Sequence, residues 1–349
     1  MSHLATTERS CFFDNAKFIL ILLVVIGHAM QIIANNPVIA FAYKFIYLFH
    51  MPAFIFIAGY FTKFEKEQKY SNLLILYVIF QTLYCIGNIF AAKNAGAQME
   101  FFEPCWVMWF LVSLITMKLA LPYITKFKHP IIISIIVAVL AGYEPLIGSY
   151  LSLSRTIVFM PFFLLGYYCN RGHLEKIKNI PAQTALAVVF LSILILFLVS
   201  SFDLGFLFND RGYEMMDINH WYAGFFRLAF LIWSMILTVC VLALVPKKQK
   251  WYSDFGRRTM QVYLTHGFVL GGLVGLGLAN AVTEPVQIIV FLMLVTMLTI
   301  FLSTQPITYL LAPLLNPFQF AADLKAFVLK TSFKLLKIKK RRKAVLLLQ

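Results

Sequence analysis

The chain has 349 residues, of which 61% are hydrophobic and only 13% charged, and its formal net charge is +15. Soluble domains are about a quarter charged, so this composition excludes a soluble protein and points to one all-α, polytopic membrane bundle. The apolar runs are continuous and helix-length, which argues against a closed β-barrel with its short alternating segments. Cys11, Cys85, Cys105, Cys169 and Cys240 are odd in number, scattered and without CxxC spacing, against a disulfide framework or a structural zinc. The first apolar run lacks a small-residue cleavage site and is long enough to remain as a span, so no cleavable signal peptide is expected.

In chain order the apolar stretches predict ten spans, over 16–34, 43–61, 72–91, 106–122, 130–142, 153–170, 182–202, 225–245, 259–279 and 286–307. The fifth is short, which suits a re-entrant segment as well as a full crossing. Lysine and arginine placement sets the orientation. With the N-terminus inside, the cytoplasmic connections hold Lys63, Lys66, Lys69, Lys126, Lys128, Arg171, Lys176, Lys178, Lys247, Lys248, Lys250, Arg257 and Arg258. The outer ones hold only Lys44, Lys93 and Arg211, together with most of the acidic loop residues. An even count returns the C-terminus to the inside. There residues 316–349 form a basic amphipathic tail after a membrane domain over 1–315, suited to an anionic inner leaflet. The charge of +15 is thereby read as lipid-facing, and no nucleic-acid partner is expected.

The first span, DNAKFILILLVVIGHAMQ over 14–31, carries Lys17 at its start and His28 ten intervening residues later. A titratable group that deep in hydrocarbon is a functional-site hypothesis by default. His28 lies roughly 16 Å along the helix from Lys17. The second span returns with His50 at comparable depth, and Trp106, Trp109, Arg155 and Arg227 start later spans near the outer face. An outward polar pocket is therefore expected from His28, His50, Trp109, Arg155 and Arg227, with Lys17, Tyr263 and His266 toward the cytoplasmic side. Imidazole suits a general base or nucleophile, and inner cations suit an anionic cytosolic donor. Each residue has a plainer structural role as well. A membrane histidine can simply bond to a neighbouring helix, Lys17 can snorkel or pair with Asp14 at i, i+3, and tryptophans can form an interfacial belt. No GxSxG, P-loop, HExxH or other metal-ligand pattern is present.

FFDNAKFILILLVVIGH, followed by FIYLFHMPAFIFIAGYF, resembles the membrane-bound acyltransferase-3 family, and within it the fucose 4-O-acetylase-like branch. PCWVMWFLVSL, SRTIVFMPFFLLGYY and FGRRTMQVYLTH fit the same resemblance, which covers about residues 11–310. The family's hallmark is an arginine, ten residues and a histidine. Here Lys17 stands in the arginine position, as is usual for this branch, and lysine is a point charge where arginine is a fork. The resemblance implies a ten-span, multi-pass enzyme of the cell membrane (the bacterial inner or plasma membrane). It would move an acetyl or other short acyl group from cytoplasmic acetyl-CoA, a co-substrate rather than a bound cofactor, to a hydroxyl of an envelope or secreted glycan or lipid-linked sugar. It implies His28 as catalytic base or acyl relay and Lys17 as a donor contact. His50, Trp109, Arg155 and His266 fall in family segments and are carried as donor- or substrate-binding candidates. The implied partners are the lipid bilayer, acyl-CoA, a carbohydrate acceptor and polysaccharide-biosynthesis proteins. Many relatives carry an added soluble hydrolase-like domain, which is not expected from this sequence. The competing reading is a transporter or flippase of a sugar-containing substrate, with the polar column as its path; the paired broken helices that would favour it are not found in the sequence.

Overall fold

A computed structural model describes residues 11–33, 36–65, 70–91, 100–199, 202, 204–218, 220–320, 322 and 325–326. The chain divides into two units, Met1–Thr304 and Gln305–Gln349, and the first holds every candidate site residue. Of the second, helix Gln305–Leu315 is described. The basic amphipathic tail expected over 316–349 lies almost wholly outside the described residues.

The described residues are helical, with no strand. The helices of the first unit are α1 (Cys11–Ile32), α2 (Pro37–Tyr47), α3 (His50–Thr62), α4 (Tyr70–Ala91), α5 (Trp109–Ile124), α6 (Pro130–Leu140) and α7 (Leu153–Tyr168). They continue as α8 (Arg171–Lys178), α9 (Ala182–Leu198), α10 (Gly205–Phe208), α11 (Ala223–Leu244), α12 (Thr259–Gly275) and α13 (Pro285–Leu302). Seven stretches are long and apolar enough to cross a membrane, with α2 and α3 counted together as Pro37–Thr62, and the pair α8–α9, bent by 79°, would make an eighth. The other two of the ten expected stretches are helical but differ in kind. α6 has only 11 residues, and α12 carries Gln261, Thr265 and His266 among four glycines, a composition that suits burial among other helices better than lipid. The outward faces of α9 and α13 are apolar, with Phe190 69% and Val286 71% exposed, as helices facing hydrocarbon require.

Local sequence explains the breaks. Asn36 caps α2 by accepting the amide protons of Val38 and Ile39 at 2.9 and 3.3 Å, ahead of Pro37 in the first turn. The backbone breaks at Phe49, so Pro52 falls in the first turn of α3, where its missing N–H costs nothing. Asn170 caps α8 by accepting from the His173 amide at 2.8 Å.

The tightest helix crossing is α3 on α7. A Cβ at Gly59 would overlap the Phe163 carbonyl, and one at Gly166 would overlap the Phe56 carbonyl. These two small residues let the backbones touch, the usual means of close packing where no hydrophobic force separates helix from lipid. Each of Gly59→Ala and Gly166→Ala is expected to cost about 1–3 kcal/mol and to lower the melting temperature in detergent. Gly87→Ala, at a position with open space around it, is expected to leave it unchanged or raise it slightly. Thermal unfolding of the three purified variants checks this.

Candidate active site

The start of α1 is fastened to the loop between α11 and α12. Asn15 donates to the carbonyls of Pro246 and Lys248 at 2.8 and 2.9 Å and accepts from the Ser253 hydroxyl at 2.5 Å. A Cβ at residue 256 would overlap the Asp14 carbonyl, so Gly256 admits the backbone contact. Buried Asp14 pairs with Lys17 at 2.9 Å, the i, i+3 contact expected from sequence, and also with Arg257 at 3.4 Å. Cationic side chains from two chain-distant segments thus share one carboxylate.

From Lys17 a cavity of about 190 Å³ runs along α1 past Ile21 and Val24 to His28. Its other walls are largely apolar, including Phe54, Trp109, Phe110, Met260 and Tyr263. A second cavity of about 220 Å³ lies beyond His28 and has a different character. It is lined by Gln31, Tyr47, Trp106, Trp109, Arg155, Asp210 and Arg211 among others. His28, Met51 and Trp109 line both. The imidazole therefore stands at the junction of a largely apolar space that reaches Lys17 and a charged one.

Around His28 the aromatic contacts are close. The Trp106 ring meets it edge-on at 5.0 Å, the His266 ring stacks at 5.4 Å, and Tyr47 Oη lies 3.1 Å from its Nδ1. Trp106 adopts φ 39°, a left-handed conformation that costs a bulky residue about 1–3 kcal/mol. Two of the three histidines have a fixed tautomer. His50 Nδ1 lies 2.9 Å from the Ile46 carbonyl and His266 Nδ1 2.9 Å from the Val262 carbonyl. Carbonyls only accept, so Nδ1 carries the proton in both and Nε2 keeps its lone pair. Among the described residues, His266 Nε2 is buried without a hydrogen-bond partner. α12 is itself held firmly: Gln261 donates to the Leu302 carbonyl at 2.6 Å and Tyr263 to the Val107 carbonyl at 2.6 Å.

The sequence-derived site is partly regrouped. Lys17, His28, Trp109 and Arg155 line the two cavities as their depths suggested. His266, expected nearer Lys17, stacks directly on His28. His50 stands one ring back, 4.5 Å from Tyr47. Arg227 is buried beside the outer cavity rather than lining it. It lies 4.6 Å from the Tyr213 ring centroid and donates to the Arg211 carbonyl at 3.0 Å. Burial pushes the Tyr213 phenol up to about 12, so Arg227 meets a neutral ring face rather than a phenolate. Sequence reasoning also missed Tyr47, Asp210 and Arg211. Asp210 takes Arg155 at 3.4 Å and Arg211 at 2.8 Å, while Arg155 lies over Trp109 at 5.0 Å. A signal for Asp210 and Arg211 was present: they fall in the long polar and aromatic loop over 203–224, of which Leu207, Phe208, Asp210 and Arg211 line the second cavity.

The bundle and this junction define a multi-pass membrane protein built around a buried histidine between two unlike cavities. The chain belongs to the acyltransferase-3 family: the family model described as an acyltransferase domain matches residues 12–305. Short stretches are similar to two curated proteins named Nodulation protein NolL. That of Mesorhizobium japonicum (strain LMG 29417 / CECT 9101 / MAFF 303099) is 48% identical over 59 residues, 16% of each chain. That of Sinorhizobium fredii (strain NBRC 101917 / NGR234) is 44% identical over 57 residues, 15% of this chain and 16% of that protein. The chain thus matches about a sixth of the length of these relatives. No solved structure matches the chain.

Tyr47→Phe removes one hydrogen bond to His28 and leaves the ring packing in place. The expected result is an acyl-transfer kcat lowered about tenfold with the donor KM little changed, as one hydrogen bond to a charged group is worth about 1.5 kcal/mol. Steady-state kinetics of the purified variant checks it.

Proposed function

We propose that the protein transfers an acetyl or other short acyl group from cytoplasmic acyl-CoA to a hydroxyl of a glycan or lipid-linked sugar at the outer face of the cell membrane. The observation that carries this reading is the junction at His28 between an apolar cavity opening at Lys17 and a charged cavity lined by Arg155 and Asp210. The apolar arm suits the pantetheine chain of acyl-CoA, whose phosphates would meet Lys17 and the cations of the 246–258 loop. The charged, tryptophan-lined arm suits a sugar ring and its hydroxyls. All ten apolar stretches are taken as spans, with both termini cytoplasmic, on the lysine and arginine placement. Placement in the fucose 4-O-acetylase-like branch is part of this reading, and the lysine at position 17, in place of the family's arginine, supports it. The NolL proteins are named for nodulation; a secreted sugar acceptor here is our own extension.

In this mechanism His28 Nδ1–H donates to Tyr47 Oη, which leaves Nε2 free as the base. Nε2 takes the proton of the acceptor hydroxyl, and the oxygen attacks the thioester carbonyl. The C–S bond breaks, and the imidazolium returns its proton to the leaving thiolate. Trp106 and His266 hold the ring in plane.

The test uses purified protein in lipid nanodiscs with labelled acetyl-CoA and a mixed envelope-glycan fraction. His28→Ala is expected to lower CoA release and glycan labelling at least a hundredfold; wild-type rates in that variant would remove His28 from the chemistry. Lys17→Ala is expected to raise the donor KM about tenfold at nearly constant kcat. A fall in kcat alone would mean that Lys17 does not bind the donor.

A further inference from the structure

The segment that delivers Trp106 to His28 is fixed by an unexpected cluster. Residues 100–105 form a strap along α4 between Tyr77 and Asn88, and Gln81 of α4, fully buried, is its hub. The Gln81 side chain donates to the carbonyls of Glu100 and Glu103 at 2.7 and 3.0 Å and accepts from the Cys105 amide at 3.0 Å. Beside it, Cys105 Sγ lies 3.4 Å from Cys85 Sγ. Both are free thiols in the structure. They are 20 residues apart in sequence, on separate elements, and held face to face by a shared polar partner.

We propose that Cys85 and Cys105 are a disulfide site, oxidised on the outer side of the membrane, which staples α4 to the strap and so fixes Trp106 against His28. The sulfurs are already in van der Waals contact at 3.4 Å and need to close by roughly 1.4 Å to reach bonding distance. The proposal rests on the orientation given under the proposed function, which puts the start of the Trp106–Ile124 span outside, where disulfides persist. Two S–H bonds break and one S–S bond forms. The two electrons and two protons pass to a protein dithiol–disulfide oxidant, whose own disulfide is reduced by exchange. Burial, with the Cys85 thiol beside it, pushes the Cys105 thiol up to about 12. Once packed, the pair would therefore react slowly with small oxidants, and oxidation belongs to folding, before the strap closes.

What such a staple would do follows from Trp106. Its left-handed backbone is the residue directly after Cys105, so a bond at Cys105 restrains the turn that holds the indole in place. The predicted effect of losing it is on the site's geometry as well as on stability.

The experiment traps thiols in intact cells by acid, denatures the full-length membrane protein without reductant and counts sites labelled by a maleimide–polyethylene glycol. The chain has five cysteines, so three labels before reduction and five after, with a Cys85–Cys105 cross-linked peptide by mass spectrometry, is the expected result. Dithiothreitol is then expected to lower the melting temperature of the wild type by several degrees and that of Cys85→Ser/Cys105→Ser not at all. Five labels before reduction overturns the proposal. CoA release measured on the same preparation separates the two ideas: turnover with five free thiols removes the disulfide and leaves the acyltransfer reading intact, whereas three labels without turnover does the reverse.

Discussion

The backbone of residue 256 rests against the carbonyl of Asp14 so closely that only glycine fits. Much of the site depends on that contact. It joins the first turn of α1 to the loop that launches α12, and Asn15 secures the joint with bonds to Pro246, Lys248 and Ser253. α12 starts at Thr259, so His266 lies about two turns further along. His28 lies three turns along α1 from Lys17. With their ends fixed together, the two helices have little freedom in which pairs of residues meet, and the two imidazoles stack. Buried polar groups are expensive in a bilayer unless partnered. This joint partners Asp14, Asn15 and Ser253 within one small volume, and it does so with side chains that also set helix register.

The two cavities divide the chemistry by dielectric. The arm from Lys17 is walled mostly by aliphatic and aromatic side chains, and a thioester there would be kept from water until an acceptor arrived. The other arm carries a fixed charge pattern. Asp210 sits between Arg155 and Arg211, and Arg227 holds the Arg211 carbonyl from behind. A polar acceptor entering this space meets donors already oriented, which lowers the reorganisation needed at the moment of transfer. His28 borders both regions, so a proton taken on the charged side can be returned on the apolar side without the ring leaving its stack.

How much of this the sequence carried depends on the kind of constraint. The Lys17–His28 spacing is a helical distance, and helical distances can be read directly. The depths of Trp109 and Arg155 follow from where their spans begin, and they too were legible. His266 was misjudged because its level depends on how α12 packs against α1, which no distance within a single helix encodes; in the structure the two imidazoles stack. Tyr47 was invisible as a partner because the break at Phe49, not the span as a whole, sets its direction. Asp210, Arg211 and the Cys85–Cys105 pair come from loop and strap geometry. Their placement rests on turns with positive φ, at Asn209 and Trp106 respectively, and no periodicity encodes those. The proximity of Cys85 and Cys105 arises from a strap folding back over a helix.

The lysine at position 17, where the family pattern has arginine, has a physical account in this geometry. Asp14 is buried and has two carboxylate oxygens to satisfy. Lys17 takes Oδ1 at 2.9 Å, and Arg257 reaches Oδ2 from the α11–α12 loop at 3.4 Å. A guanidinium at position 17 would bind a carboxylate best as a fork, with both oxygens, and would compete with Arg257 for the second. Lysine, as a point charge with a flexible stem, claims one oxygen and keeps its remaining donors turned toward the cavity mouth. The bidentate role is thereby split between two residues from opposite ends of the domain. One consequence is structural, since the pair ties α1 to the loop. The other is electrostatic, since the mouth of the apolar cavity keeps a cation even though a buried carboxylate stands beside it.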